Sequence, residues 1–103
     1  MAELLVSNGI CAGTVFFLAH DPTIVGRSEE CHVVIPDPCV SSRHCRVEMR
    51  GGEPWIVDLG SRNGTCVDGR RVHEAALRDG SRLGFGRTEA VVRMVEPQGR
   101  GGE

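Results

Sequence analysis

The sequence predicts an all-β sandwich of ten to eleven short, mostly antiparallel strands in two sheets. Three observations lead there. No stretch of ten or more residues repeats its apolar positions at helical spacing. Short runs rich in Val, Ile, Leu and Phe recur at regular intervals between turn segments of Gly, Pro, Asn and Asp. Residues 44–50 alternate apolar and polar, and after Gly51-Gly52-Glu53 the run 54–59 returns as a partner strand. At 103 residues, the chain suits one domain with a modest core.

Each element has its own local signal. Leu4-Leu5-Val6 and the run Thr14 to Ala19 read as the first two strands, separated by Ser7-Asn8-Gly9 and Ala12-Gly13. Pro22 to Gly26 is a third strand, opened by a proline and closed by a glycine. His32-Val33-Val34-Ile35 is a fourth. Pro36-Asp37-Pro38 cannot continue a sheet, so residues 36–43 are expected to form an exposed loop. After the central hairpin, Gly60 to Gly64 is a loop. Thr65-Cys66-Val67 and Arg70-Arg71-Val72 then form a second hairpin around Asp68-Gly69. His73 to Arg78 reads as one helical turn or an irregular crossing. Arg82 to Phe85 and Glu89 to Val95 close the domain, which spans residues 1–97; the Gly-rich 98–103 is expected to be a disordered tail or linker.

Composition excludes several classes. A net charge of −2 gives no basic face for nucleic acid, and Phe16, Phe17 and Trp55 read as core residues rather than stacking platforms. All twelve basic residues are arginine, which reads first as a coding bias of the source. The five cysteines are odd in number and show no C-x-x-C, which argues against a disulfide framework and for a reducing compartment. Cys31, His32, Cys39, His44 and Cys45 match no zinc spacing, so no metal or other cofactor is expected. The N-terminus lacks a signal-peptide pattern, and no apolar run is long enough to span a membrane. A soluble, cytoplasmic protein is the resulting expectation, with no membrane partner and a monomer favoured.

Three clusters concentrate the chemistry: Gly26-Arg27, Val40-Ser41-Ser42-Arg43-His44, and Gly60-Ser61-Arg62-Asn63-Gly64-Thr65. Each falls at a strand end or in a loop. Together they offer guanidinium, hydroxyl, carboxamide and backbone N–H donors, with no nucleophile–base pair. Ser41 and His44 lie on a loop-to-strand junction without an acidic orienter, so a hydrolytic triad is not indicated. Such donors bind phosphate rather than cleave a bond.

In order and spacing, these clusters resemble a forkhead-associated (FHA) domain, from about Leu4 to Val95. Gly26-Arg27, Ser41 with His44 three residues on, and Asn63-Gly64-Thr65 followed by Val67 and Gly69 carry the resemblance. Leu77, Asp79-Gly80, Leu83 and Phe85-Gly86 agree with its closing hairpin. The resemblance implies an FHA-like sandwich whose loops bind phosphothreonine in an extended peptide, as a non-catalytic signalling module. It implies a binding set of Arg27, Ser41, Ser42, Arg43, Arg62 and Asn63. Gly26, His44, Gly64 and Thr65 would support the site. Two positions depart from the family pattern: Ser42 stands between Ser41 and Arg43, and Asp68 replaces a frequent Asn before Gly69. Glu29, Glu30 and Asp37 point to a basic flank on the ligand. A phosphorylation-independent scaffolding domain of the same fold is the alternative reading.

Overall fold

The computed structural model describes residues 2–95. The segment 98–103, expected as a tail, lies outside the described residues. Among the described residues eleven strands follow one another in the chain. They are β1 (Ala2–Val6), β2 (Val15–Phe17), β3 (Thr23–Gly26), β4 (Val33–Val34), β5 (Cys45–Arg50), β6 (Glu53–Asp58), β7 (Thr65–Val67), β8 (Arg70–Val72), β9 (Glu74–Ala76), β10 (Arg82–Phe85) and β11 (Thr88–Met94). They form a six-stranded sheet ordered β2-β1-β11-β10-β7-β8 and a five-stranded sheet ordered β4-β3-β5-β6-β9. All pairings are antiparallel except β3 with β4. The all-β two-sheet expectation holds. Among the described residues no helix is long and apolar enough to cross a membrane.

Alternation along the strands builds the core. Cys45 and Val47 of β5, Ile56 of β6 and Val25 of β3 face inward from one sheet. Leu4 of β1, Leu83 and Phe85 of β10, and Ala90 and Val92 of β11 face them from the other. Each fully buried large side chain contributes about 1.5–3 kcal/mol of transfer free energy. The Asp68-Gly69 turn between β7 and β8 has φ of 52° and 85°, the left-handed pair that a tight two-residue hairpin needs.

Three expectations change. Residues 74–76 are neither a helical turn nor an irregular crossing. They form β9, which completes the second sheet against β6 through Ile56↔Ala75. Phe17 is not a core residue: it is 60% exposed on the edge strand β2, whereas Phe85 is the fully buried phenylalanine. The 36–43 loop is not exposed throughout, because Asp37 and Val40 turn inward and are buried.

Candidate functional site

The loops β3–β4, β4–β5, β6–β7 and β10–β11 are tied to one another by specific bonds at one end of the sandwich. Gly26 ends β3, and the next strap of chain lies directly on it. A Cβ there would sit 2.2 Å from the Ser42 carbonyl oxygen, so glycine is required by the close approach. Main-chain bonds continue the contact: the Arg27 N–H donates to Ser41 O at 3.0 Å and the Ser28 N–H to Ser42 O at 3.1 Å. The Arg27 side chain is then aimed by its Nε, which donates to Val40 O at 3.0 Å. Among the described residues its terminal nitrogens have no partner.

Ser41 is held from both sides. Its N–H donates to His44 Nδ1 at 3.1 Å, and its Oγ accepts the Arg62 N–H at 3.0 Å. Acceptance at Oγ leaves the hydroxyl proton free to donate to a ligand. His44 is fully buried, and its Nε2 meets Gly64 O at 2.8 Å. With Nδ1 accepting and Nε2 donating, the imidazole pins the 41–43 loop to the 60–64 loop through a single tautomer. Asn63 crosses back over the cleft, and its Nδ2 donates to Cys39 O at 2.8 Å. That leaves its Oδ1 free, as an acceptor for a peptide N–H.

Two buried or half-buried carboxylates brace the loops from beneath. Asp58 accepts from the hydroxyls of Ser61 and Thr65 and from the N–H groups of Gly60 and Ser61. Burial opposes its charge, but the Ser61 and Thr65 hydroxyls and these backbone donors win and lower its pKa. Asp37 accepts from the Cys39 N–H, the Arg87 N–H and the Thr88 hydroxyl. Burial opposes this charge too, and the three donors, with the Arg87 cation nearby, again hold its pKa below the ordinary value. Sequence reasoning missed both as site residues. The Asx-turn pattern, an aspartate accepting from the N–H two residues on, was the available signal. Asp37, counted at first among acids facing the ligand, is 7% exposed with both oxygens engaged, so it cannot read a basic flank.

Of the anticipated binding residues, Arg27, Ser41, Ser42, Arg62 and Asn63 line one cleft of about 250 Å³, walled by Pro38, Cys39 and Val40. No carboxylate lines it. Arg43 is exposed but lies outside this lining, and its charge is felt instead by Cys31. Gly26, His44, Gly64 and Thr65 lie buried beneath the loops. Asp68 also stands clear of the cleft, where its Oδ1 accepts the Arg82 N–H. Burial pushes the Cys31 and Cys45 thiols up, reinforced at Cys45 by Asp58, so neither is a thiolate nucleophile at neutral pH. Among the described residues no group of three or more His, Cys, Asp or Glu is placed to hold a metal.

Comparison with known proteins gives this geometry its family. The model of the FHA domain matches residues 23–86, well over half of the chain. The FHA domain-containing protein FhaB of Mycolicibacterium smegmatis is 40% identical over 73 residues, covering 71% of this chain and 47% of that protein. The chain thus spans about half the length of this curated relative. A structure from an analysis of phosphothreonine-dependent FHA domain interactions superposes with a TM-score of 0.85 at 32% identity, covering 93% of this chain and 98% of its own. The FhaA FHA domain, solved in complex with the intracellular domain of Rv3910, gives 0.83 at 32% identity, covering 90% and 100%. By the family match and by the fold alike, this chain belongs to the FHA family.

Proposed function

We propose that this chain is a phosphothreonine-dependent binding module that joins a phosphorylated partner protein to its own parent assembly and performs no catalytic step. The observation that carries the reading is the cleft itself. Two arginines, two serines and an asparagine converge on it, and no carboxylate does. A phosphate ester brings about −1.5 to −2 charges, which such a donor set suits. Arg27 supplies the charge-assisted bonds, Ser41 and Ser42 their hydroxyls, Arg62 a second cation and Asn63 the contact to the peptide main chain. The five cysteines are all unpaired, which fits action in a reducing, cytoplasmic compartment, where a protein kinase writes the mark.

The test is a titration of phosphothreonine, phosphoserine and unphosphorylated forms of one peptide library against wild type, Arg27→Ala and Ser41→Ala. Each charge-assisted bond is worth about 1.5–3 kcal/mol. Arg27→Ala should therefore weaken phosphothreonine binding about 10- to 150-fold, and Ser41→Ala several-fold, with small shifts in Tm. Equal binding of all three libraries by wild type would sink this reading in favour of phosphorylation-independent scaffolding.

A further inference from the structure

We propose that β2 is an interface strand, on which a second copy of this chain pairs antiparallel and joins the two six-stranded sheets into one. β2 is the outermost strand of its sheet and is bonded on one side, to β1. The bonds from Val6 N–H to Thr14 O and from Leu18 N–H to Ala2 O fix which way its main chain faces. In that register the main-chain groups of Phe16 turn to β1, and those of Val15 and Phe17 turn outward. Two N–H and two C=O groups therefore lie without partners along this edge among the described residues.

Nothing guards this edge. Strand edges are ordinarily blunted by charge, by proline, by a bulge or by shortness. The other three edges of the two sheets are guarded: β8 carries Arg70 and Arg71, β9 carries Glu74, and β4 has only two residues. β2 is Val-Phe-Phe, and no Asp, Glu or Arg stands between Thr14 and Ala19. On its outer face Phe17 is 60% exposed and Val15 37%.

The strand is its own complement, which is why the occupant is a second copy. A two-fold axis at Phe16 sets Val15 against Phe17 of the second copy and Phe17 against its Val15, so every open main-chain group on either edge finds a partner. On the outer face each Phe17 covers a Val15, and on the inner face the two half-buried Phe16 rings meet at the axis. Charge permits this register: from residue 11 to 21 the one Asp, Glu or Arg is Asp21, and it is carried toward Cys11 of the second copy, so like charges do not meet. Three residues a side fall far short of the roughly 1,600 Å² of a standard interface, so association belongs near 0.1–1 mM and the expected monomer prevails when dilute. A parent assembly that holds copies close reaches such effective concentrations. The β1–β2 loop lies at the cleft end, since Ser7 N–H donates to Glu89 O beside the β10–β11 turn. Antiparallel pairing turns the second copy end over end, so the two clefts face opposite ways. On the phosphothreonine reading above, the pair would bridge two phosphorylated partners; the pairing itself does not depend on that reading.

The experiment follows backbone amide shifts and rotational correlation time by NMR as the chain is concentrated from about 0.02 to about 2 mM, for wild type, Phe17→Lys and Val15→Pro. Phe17→Lys places a charge at an exposed position facing Glu3, and Val15→Pro removes an outward N–H that no bond within the domain uses, so both should keep a Tm near wild type. On wild type the Val15, Phe16 and Phe17 amides should shift with concentration while the correlation time rises about twofold, as a dimer requires. Either substitution should weaken association at least about tenfold and leave phosphopeptide affinity in dilute protein unchanged. No concentration dependence, shifts centred elsewhere on the molecule, or association that survives both substitutions overturns the proposal. So does a chain that stays monomeric while its β2 amides respond to an alternating Val-Thr peptide, which would give the edge to a foreign strand. A wild type that pairs through β2 and binds no phosphopeptide would defeat the phosphothreonine reading and uphold this one.

Discussion

His44 and Asp37 show how much of the cleft depends on side chains that never face the ligand. His44 bridges Ser41 N–H and Gly64 O from a fully buried position. His44→Ala leaves a cavity and two unmet backbone groups, and should cost about 2–4 kcal/mol, read as a large fall in Tm. Phosphopeptide affinity should fall with it, because the two loops lose their common anchor. Asp37 adds a pH dependence. Its folded pKa is depressed, so its stabilisation is fully present above the unfolded value of about 3.9 and is lost as pH falls through the folded one. Asp37→Asn should therefore lower Tm at neutral pH and flatten the acid limb of a Tm-against-pH curve between about pH 2 and 5. An unchanged acid limb would assign that titration to other carboxylates. The contrast between the two is also one of legibility. Ser41 and His44 stand three apart, and their association could be read from the chain. Asp37 meets Arg87 and Thr88 from 50 and 51 residues away, and its local Asx turn to Cys39 does not point to those two partners.

At the scale of elements, the strands with strong alternation were readable and the ones imposed by their neighbours were not. β5 buries Cys45 and Val47 and β6 buries Pro54 and Ile56 in alternation, and the two pair without interruption from Cys45↔Asp58 to Arg50↔Glu53, so the pattern alone located the hairpin. β9 has the sequence Glu-Ala-Ala, with no β-branched residue, and becomes a strand only because β6 offers an open edge to it. Phe17 misled for the opposite reason: its side chain is apolar, but β2 is an outer strand and turns it to solvent. The end of β3 yields the clearest prediction at this level. Gly26→Ala would drive a methyl group into the Ser42 carbonyl, which has no room to retreat without breaking the Ser28 and Arg27 main-chain bonds. The substitution should lower stability by about 1–3 kcal/mol, as overpacked sites do, and reduce phosphopeptide affinity more than Arg62→Gln does. A chemical denaturation midpoint and one titration check both halves of that statement.

Over the whole molecule, the charge that matters is local: the cleft is lined by two arginines and no carboxylate, whatever the total. The net charge of −2 says nothing of this lining, which is why composition alone could not point to an anion site. Away from the cleft, three arginines are ion-paired, whereas Arg70, Arg71, Arg78 and Arg82 form no ion pair among the described residues: Arg46 and Arg50 hold Glu48, Arg50 also holds Glu74 beneath a stacking contact with Trp55, and Arg93 holds Glu3. At the cleft, Arg27 and Arg62 form no ion pair among the described residues, and the nearby aspartates 37 and 58 are consumed by hydroxyls and backbone N–H groups. The recognition end is thus left cationic on a molecule that is slightly anionic. Two exposed cations facing a dianion interact over a range that salt shortens, from a Debye length of about 10 Å at 0.1 M to about 3 Å at 1 M. Phosphopeptide affinity should fall several-fold between 0.05 and 0.5 M salt, chiefly through a slower association rate. Arg62→Gln should reduce that salt slope while leaving Tm near wild type, since its side chain holds no intramolecular bond among the described residues. Stopped-flow association rates at four salt concentrations, for wild type and this variant, decide the matter: parallel slopes would remove Arg62 from the field that draws the phosphate in.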